Sequence, residues 1–304
     1  MACIKAGQAR CSRGLPVSVW SVSELAKMRL FIQVCAAALS NGYIKGFAKG
    51  RIYDGSLKQF CVPGLNCYSC PAALGACPIG SLQGMMGSHS FKAALYVIGF
   101  LVVCGTLMGR FVCGFLCPFG LVQDLLFKIP VVRKIQRLPG EKGLRWIRFV
   151  ILGLFVILLP LCIIDFTGLG EAWFCKYICP AGTLEGGIPL VLIDSSIRLA
   201  TGFLYRWKLL LLVITLVASA VIYRPFCRYI CPLGAIYGVF NKVSFFRLSV
   251  DSTKCLRCGA CAKACKLHIN VFENPNSMDC IRCGECESAC PEDAIKTLTK
   301  NTLY

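Results

Sequence analysis

Cysteines at regular spacing dominate the chemistry available to this chain, which holds 23 of them in 304 residues. Residues 255–265 read CLRCGACAKAC and residues 280–291 read CIRCGECESACP, two copies of C-x2-C-x2-C-x3-C. Such a loop offers three thiolates to one face of a four-iron cube, while the fourth cysteine reaches across to a neighbouring cube. Cys255, Cys258, Cys261 and Cys290 are therefore expected on one [4Fe–4S] cluster, and Cys280, Cys283, Cys286 and Cys265 on a second. Zinc is the competing use of paired C-x2-C motifs, and eight thiols in two matched runs favour the cubes. Lys266 stands after Cys265 where a proline usually follows; this weakens the turn and leaves the ligand set whole. His268 is read as a packing or surface residue, because eight thiolates already saturate both clusters.

A second pattern recurs upstream. RFVCGFLCPFG (110–120), AWFCKYICPAG (172–182) and RPFCRYICPLG (224–234) share C-x3-C-P, and a shorter relative, ACPIGSLQ (76–83), lies inside CVPGLNCYSCPAALGACPIG. Cysteines at i and i+4 share one face of a helical turn, the proline ends or redirects that turn, and the glycine lets the chain fold back. Each unit is then half of a four-thiolate set.

Which halves combine depends on the elements that carry them. Hydrophobic residues make up 56% of the chain and mean hydropathy is +0.66, too apolar for a soluble pair of domains. Apolar runs at 91–110, 149–164 and 209–223, with a weaker one at 30–48, predict about four transmembrane helices. Lys and Arg number five in residues 1–29, eight in 110–148 and four in 224–250, against three each in 48–90 and 167–207. Cytoplasmic flanks are the basic ones, so both termini are expected in the cytoplasm. The net charge of +18 follows this topology; the basic residues form no stripe with interleaved aromatics, and nucleic acid is not an expected partner. No cleavable signal peptide is evident in residues 1–28.

On that topology Cys113, Cys117, Cys227 and Cys231 emerge together on the inner face and form one cluster site. Cys175 and Cys179 emerge on the outer face, where Cys61, Cys67, Cys70 and Cys77 offer the other half. CYSCP makes Cys67 and Cys70 the first choice, with Cys77 or Cys61 as alternates; disulfides are the competing reading there if that compartment is oxidising. Cys35, Cys104 and Cys162 lie within apolar runs and read as small buried apolar residues. The fold class expected is an α-helical integral membrane protein with a C-terminal two-cluster bacterial ferredoxin-like α+β domain. It divides into an N-terminal cytoplasmic segment (1–28), a membrane domain (29–248) and the cluster domain (249–304).

The paired C-x3-C-P units, the GLNCYSCPAALGACPIGSLQ stretch and the terminal double run together resemble the membrane polyferredoxins of NapH and NosR type, over residues 28–299. The resemblance implies an electron-transfer subunit of a prokaryotic inner membrane. Its partners would be flavoprotein, reductase or cytochrome subunits, a quinone and the lipid bilayer. The flavin-binding domain of NosR has no counterpart in this sequence. The alternative role is accessory: a maturation or redox-sensing protein resembling CcoG, whose additional C-terminal domain is not seen here. The spans hold no histidine pairs for haem and no GxGxxG follows a strand, so neither haem nor NAD is expected, and no flavin site is evident. One difficulty is distance: clusters at opposite faces of a hydrocarbon core about 30 Å thick are too far apart for a single fast step. Either the C-x3-C-P units dip into the bilayer or a partner's cofactor bridges the gap.

Overall fold

The computed structural model describes residues 22–88, 91–130, 134–135, 138–163 and 170–298. Cys3, Cys11 and His89, and with them most of the expected N-terminal segment, lie outside the described residues. The fold is mostly helical. Helix α1 (Val22–Ser40) leads through a long loop to α2 (Pro78–Gly87) and α3 (Phe91–Met108). Next come the short α4 (Phe111–Phe115), α5 (Pro118–Phe127) and α6 (Glu141–Ile151), which a wide π-helical stretch, Leu152–Leu158, carries on to Cys162. The pattern repeats in α7 (Trp173–Tyr177) and α8 (Pro180–Ile193), and after α9 (Phe203–Val221) in α10 (Pro225–Tyr229) and α11 (Pro232–Phe240).

Two helices are long and apolar enough to cross a membrane, Gly143–Cys162 and Phe203–Val221. Only 22% and 11% of their apolar windows are buried within the protein, so Leu154, Ile157, Val213, Ile214 and Val217 face outward. Surfaces of that composition belong in lipid. Lys92–Met108, Pro118–Phe127 and Pro180–Ile193 are shorter apolar helices. The weak run at 30–48 is not one helix: α1 ends at Ser40, and a turn at Asn41 precedes the separate Lys45–Lys49. Of the three cysteines read as buried apolar residues, Cys162 is exposed and Cys35 and Cys104 are half-buried.

The C-terminal part is built on a two-stranded antiparallel sheet, β1 (Arg247–Val250) against β2 (Ile295–Leu298), with Arg247 opposite Leu298 and Val250 opposite Ile295. Between the strands lie the two cysteine runs, each containing one short helix, α12 (Ala260–Ala264) and α13 (Glu285–Ser288). The runs share a backbone as well as a sequence: Arg257 and Gly259 in the first, and Arg282 and Gly284 in the second, all have positive φ. Successive residues of this kind turn amide N–H groups toward one concavity, which suits an anionic group.

This part docks on the membrane part through its second run. Arg282, almost fully buried, donates to the carbonyls of Met108 (2.9 Å) and Asn241 (2.9 Å) and to Ser244 Oγ (2.6 Å). Asn241 Nδ2 in turn donates to the carbonyls of Ser277 (2.9 Å) and Cys280 (2.8 Å). The approach is close enough to exclude side chains, since a Cβ on Gly114 would lie 2.5 Å from the Ile281 carbonyl oxygen. Gly114→Ala is therefore expected to cost roughly 1–3 kcal/mol, the range for overpacking, seen as a lower thermal midpoint and faster proteolysis between the two parts.

Candidate functional site

The two C-terminal cysteine sets assemble with the crossed pairing. Cys255, Cys258, Cys261 and Cys290 line one small cavity, and Cys261 interacts electrostatically with Cys255 and Cys290. Cys286 interacts with Cys280, Cys283 and Cys265. Lys266, in the place of the usual proline, forms an ion pair with Glu285 at 2.5 Å and so ties the end of the first run to the start of α13. The environments of the two runs differ. Cys258 and Leu256 are exposed, whereas Ile281 and Arg282 are buried against the membrane part.

Within the membrane part, each Cys-Pro step has one local geometry. Cys77, Cys117, Cys179 and Cys231 all have extended backbone and cap α2, α5, α8 and α11, whose first residue is the proline. Proline suits that position because its missing N–H would have no helical partner and its φ is preset. The proline therefore starts the second helix, where the sequence suggested only that it ends the first. A thiolate at such a cap faces free N–H groups and the positive end of the helix dipole. The N–H of the glycine three residues on is directed at the cap sulfur in all four, Gly80, Gly120, Gly182 and Gly234. Those glycines also make room: a Cβ on Gly120 would meet Cys113 O at 3.1 Å, and one on Gly234 would meet Cys227 O at 3.0 Å.

Cys113, Cys117, Cys227 and Cys231 come together, with Cys231 in electrostatic contact with the other three. Their two units clasp reciprocally. Arg110 Nη2 donates to the Cys227 carbonyl (2.9 Å), and Arg224 Nη1 donates to the Cys113 carbonyl (2.5 Å). Gln123 Nε2 donates to Cys227 Sγ at 3.0 Å.

The second membrane-part centre gathers Cys67, Cys77, Cys175 and Cys179. All four line one cavity of about 830 Å³, and Cys175 interacts with each of the other three. Gln83 Nε2 donates to Cys175 Sγ (3.4 Å), its Oε1 accepts from the Phe174 N–H (2.9 Å), and Lys208 Nζ donates to the Cys175 carbonyl (3.0 Å). A π-helical stretch in α8, Thr183–Gly187, carries Glu185, whose carboxylate accepts the Cys67 N–H at 2.7 Å. Cys70, paired with Cys67 on sequence, is not in this group. Its Sγ donates to Asn41 Oδ1 (3.6 Å), and it packs with Ala72 and Ala73. Cys61 is also elsewhere, in an isolated bridge to Ala76 and in electrostatic contact with Cys104. The choice between Cys70 and Cys77 turns on the helix cap: only Cys77 precedes a helix-starting proline.

Among the described residues, no three His, Cys, Asp or Glu side chains gather tightly enough to hold a single metal ion. Two of the four thiol sets line cavities instead, those of Cys255 and of Cys77, and N–H groups are directed at sulfur in the membrane part.

Comparison with known proteins shows 4Fe-4S binding domains in this chain. Residues 93–139, 152–188 and 207–250 match one model described as a 4Fe-4S binding domain, and residues 275–296 match a second so described. An uncharacterized protein of Methanocaldococcus jannaschii is 30% identical over 209 residues, 66% of this chain and 70% of the relative. Ferredoxin-type protein NapH of Haemophilus influenzae is 25% identical over 241 residues, 77% and 71% of the two chains. The chain belongs to the NapH-type membrane polyferredoxin family. Methylamine utilization ferredoxin-type protein MauN of Methylorubrum extorquens is a further relative of this polyferredoxin, 27% identical over 199 residues, 62% and 59% of the two chains. No solved structure matches.

Several residues of the polyferredoxin's centres went unread in the sequence, although the repeat carries a trace of them. Arg110 and Arg224 each stand three residues before the first cysteine of a unit, and Gln83 and Gln123 each stand six after a Cys-Pro cysteine. The arginines also show where the positive charge goes. Arg110, Arg148, Arg224, Arg228 and Arg282 are the largest fully buried side chains. With Arg29 and Arg145 they make seven, and their ion pairs draw on three carboxylates, Asp124, Glu141 and Asp279. Buried cations need counter-charge, and thiolate-held cubes, formally about −2 each, fit that surplus.

Gln83→Leu removes one N–H···S bond from the Cys77 centre of this polyferredoxin. Added negative charge is then less stabilised, so the midpoint potential is expected to fall by tens of millivolts in a redox titration, on the order of one hydrogen bond.

Proposed function

We propose that this iron–sulfur electron-transport protein is the membrane subunit of a redox complex, passing electrons through four [4Fe–4S] centres in a fixed spatial order. The order runs from the Cys255 set to the Cys280 set, then to the Cys113/Cys117/Cys227/Cys231 set, then to Cys67/Cys77/Cys175/Cys179. The observation that carries it is the packing of the second cysteine run on the Arg110 and Asn241 surface while residues 256–258 of the first run stay exposed. Bound cubes would supply one-electron chemistry; the chain supplies the thiolates, the cap N–H groups and the buried arginines. Cys258 and Leu256, at the exposed end, offer a contact for a soluble donor or acceptor. The cavity beside Cys67 and Cys77 offers the contact at the other end, for a quinone, flavoprotein or periplasmic partner. On the positive-inside count the ferredoxin-like part and both termini are cytoplasmic, and the Cys77 centre faces the outer side of a prokaryotic inner membrane.

The test is iron and labile sulfide in anaerobically purified protein. About sixteen irons per chain support four cubes, and about eight would leave only the C-terminal pair and sink the proposal.

A further inference from the structure

The two membrane-part centres share a wall. Residues 63–67, PGLNC, run between them. The Leu65 N–H is directed at Cys117 Sγ, the next N–H, of Asn66, is directed at Cys77 Sγ, and Cys67 is itself a member of the second set. Consecutive amide nitrogens are less than about 4 Å apart, so Cys117 and Cys77 sulfurs are separated by on the order of 10 Å. Gly64 lets this segment lie flat on the first centre, since a Cβ there would be 2.9 Å from Cys117 Cα and 3.1 Å from the Leu116 carbonyl oxygen. Tyr237 fills the remaining space. It is fully buried, its hydroxyl donates to the Pro63 carbonyl at 3.0 Å, and it stands within electrostatic reach of Cys104 and of cysteines of both sets, Cys113, Cys117 and Cys77. Leu65 and Asn66 are buried as well, so no solvent separates the centres along this path.

We propose that the Gly64–Cys67 backbone and the Tyr237 ring form the electron bridge between the two membrane-part centres. This rests on the four-centre reading above and adds the residues through which the long transmembrane step is shortened. The bridge carries one electron at a time. One centre is oxidised by one unit and the other reduced by one, no bond forms or breaks, no proton moves, and the external donor and acceptor are the redox partners named above. Tyr237 acts here as packing medium and anchor for Pro63, and is itself neither oxidised nor reduced.

The experiment is electron paramagnetic resonance on the full chain, with iron counted in every sample. In fully reduced wild-type protein the two centres are expected to show magnetic interaction, seen as split or broadened lines. Cys175→Ala should remove that interaction and leave the signal of the Cys117 centre narrow. Gly64→Ala, which lifts the segment, should weaken the splitting at unchanged iron content. After rapid one-electron photoreduction, Tyr237→Leu should slow equilibration between the two centres, while Tyr237→Phe, which keeps the ring, should stay near the wild-type rate. Isolated, uncoupled signals in wild type at full iron content would overturn the proximity, and an unchanged equilibration rate in Tyr237→Leu would overturn the role of the ring. A wild-type content of about eight irons overturns the underlying four-centre reading instead, and the iron count separates that failure from the other two.

Discussion

The Cys77→Ala protein will hold about twelve irons per chain against about sixteen in wild type, while Cys70→Ala will keep the full complement. Both cysteines lie in one loop and both precede or neighbour a proline, so sequence proximity does not separate them. Geometry does. Cys77 caps a ten-residue helix, receives the N–H groups of Ile79, Gly80 and Asn66, and stands beside Cys175 and Cys179. Cys70 faces Asn41 in a pocket of alanines. A cube deprived of one of four thiolates loses a corner ligand in a buried site; Cys70 packs beside Cys67 but turns its thiol to Asn41, and Cys61 is fixed by its bridge to Ala76. Loss of a whole cube is expected, read by iron analysis and by disappearance of one set of resonance lines. The reverse result, with iron lost from Cys70→Ala and kept in Cys77→Ala, would refute the assignment.

Asp279→Ala should undock the ferredoxin-like part. Its carboxylate is buried and meets Arg145 at 2.5 Å, Arg148 at 2.7 Å and Arg110 at 3.6 Å. Burial pushes this carboxyl up, and Arg110, Arg148 and Arg145 overcome that and hold it below the usual carboxylate range. Removing it leaves three arginines of the membrane part clustered at the interface without their partner across it; Arg110 and Arg148 are almost fully buried, and Arg145 keeps Glu141. Breaking a buried charge pair from one side costs about 3–5 kcal/mol, and here one carboxylate serves three cations. The expected result is faster proteolysis between α11 and β1, and loss of magnetic interaction between the Cys280 and Cys117 centres at unchanged iron content. Asp279→Asn keeps one acceptor oxygen for the arginines and loses the charge, and should fall between the two. An Asp279→Ala protein as resistant to proteolysis as wild type would show that docking rests on the remaining contacts, among them those of Arg282, Asn241 and the Arg110–Met278 bond.

Much of this protein is written in its linear order. The two C-terminal runs bring their thiols together in the expected sets, because three of each set come from one loop of seven residues and local geometry decides where they point. The structure also brings Cys113 and Cys117 beside Cys227 and Cys231, a pairing the repeat suggests. Helix existence in the apolar runs was legible as well, although two helices, not four, are long and apolar enough to cross a membrane among the described residues. What the chain order could not carry were choices between chemically equal candidates. Cys70 and Cys77 differ only in whether a helix begins after them. The arginines counted as a basic cytoplasmic surface are in part interior, drawn in by thiolates and by three carboxylates that lie far away in sequence. That the two membrane-part cysteine sets are neighbours does not follow from the sequence; in three dimensions Gly64 lets the 63–67 loop pass between them, although their cysteines come from four separate segments. Spacing within one loop is a local property that sequence states outright. Contact between a glycine at 64, a cysteine at 117 and a tyrosine at 237 depends on how whole helices pack, and only the tertiary structure decides that.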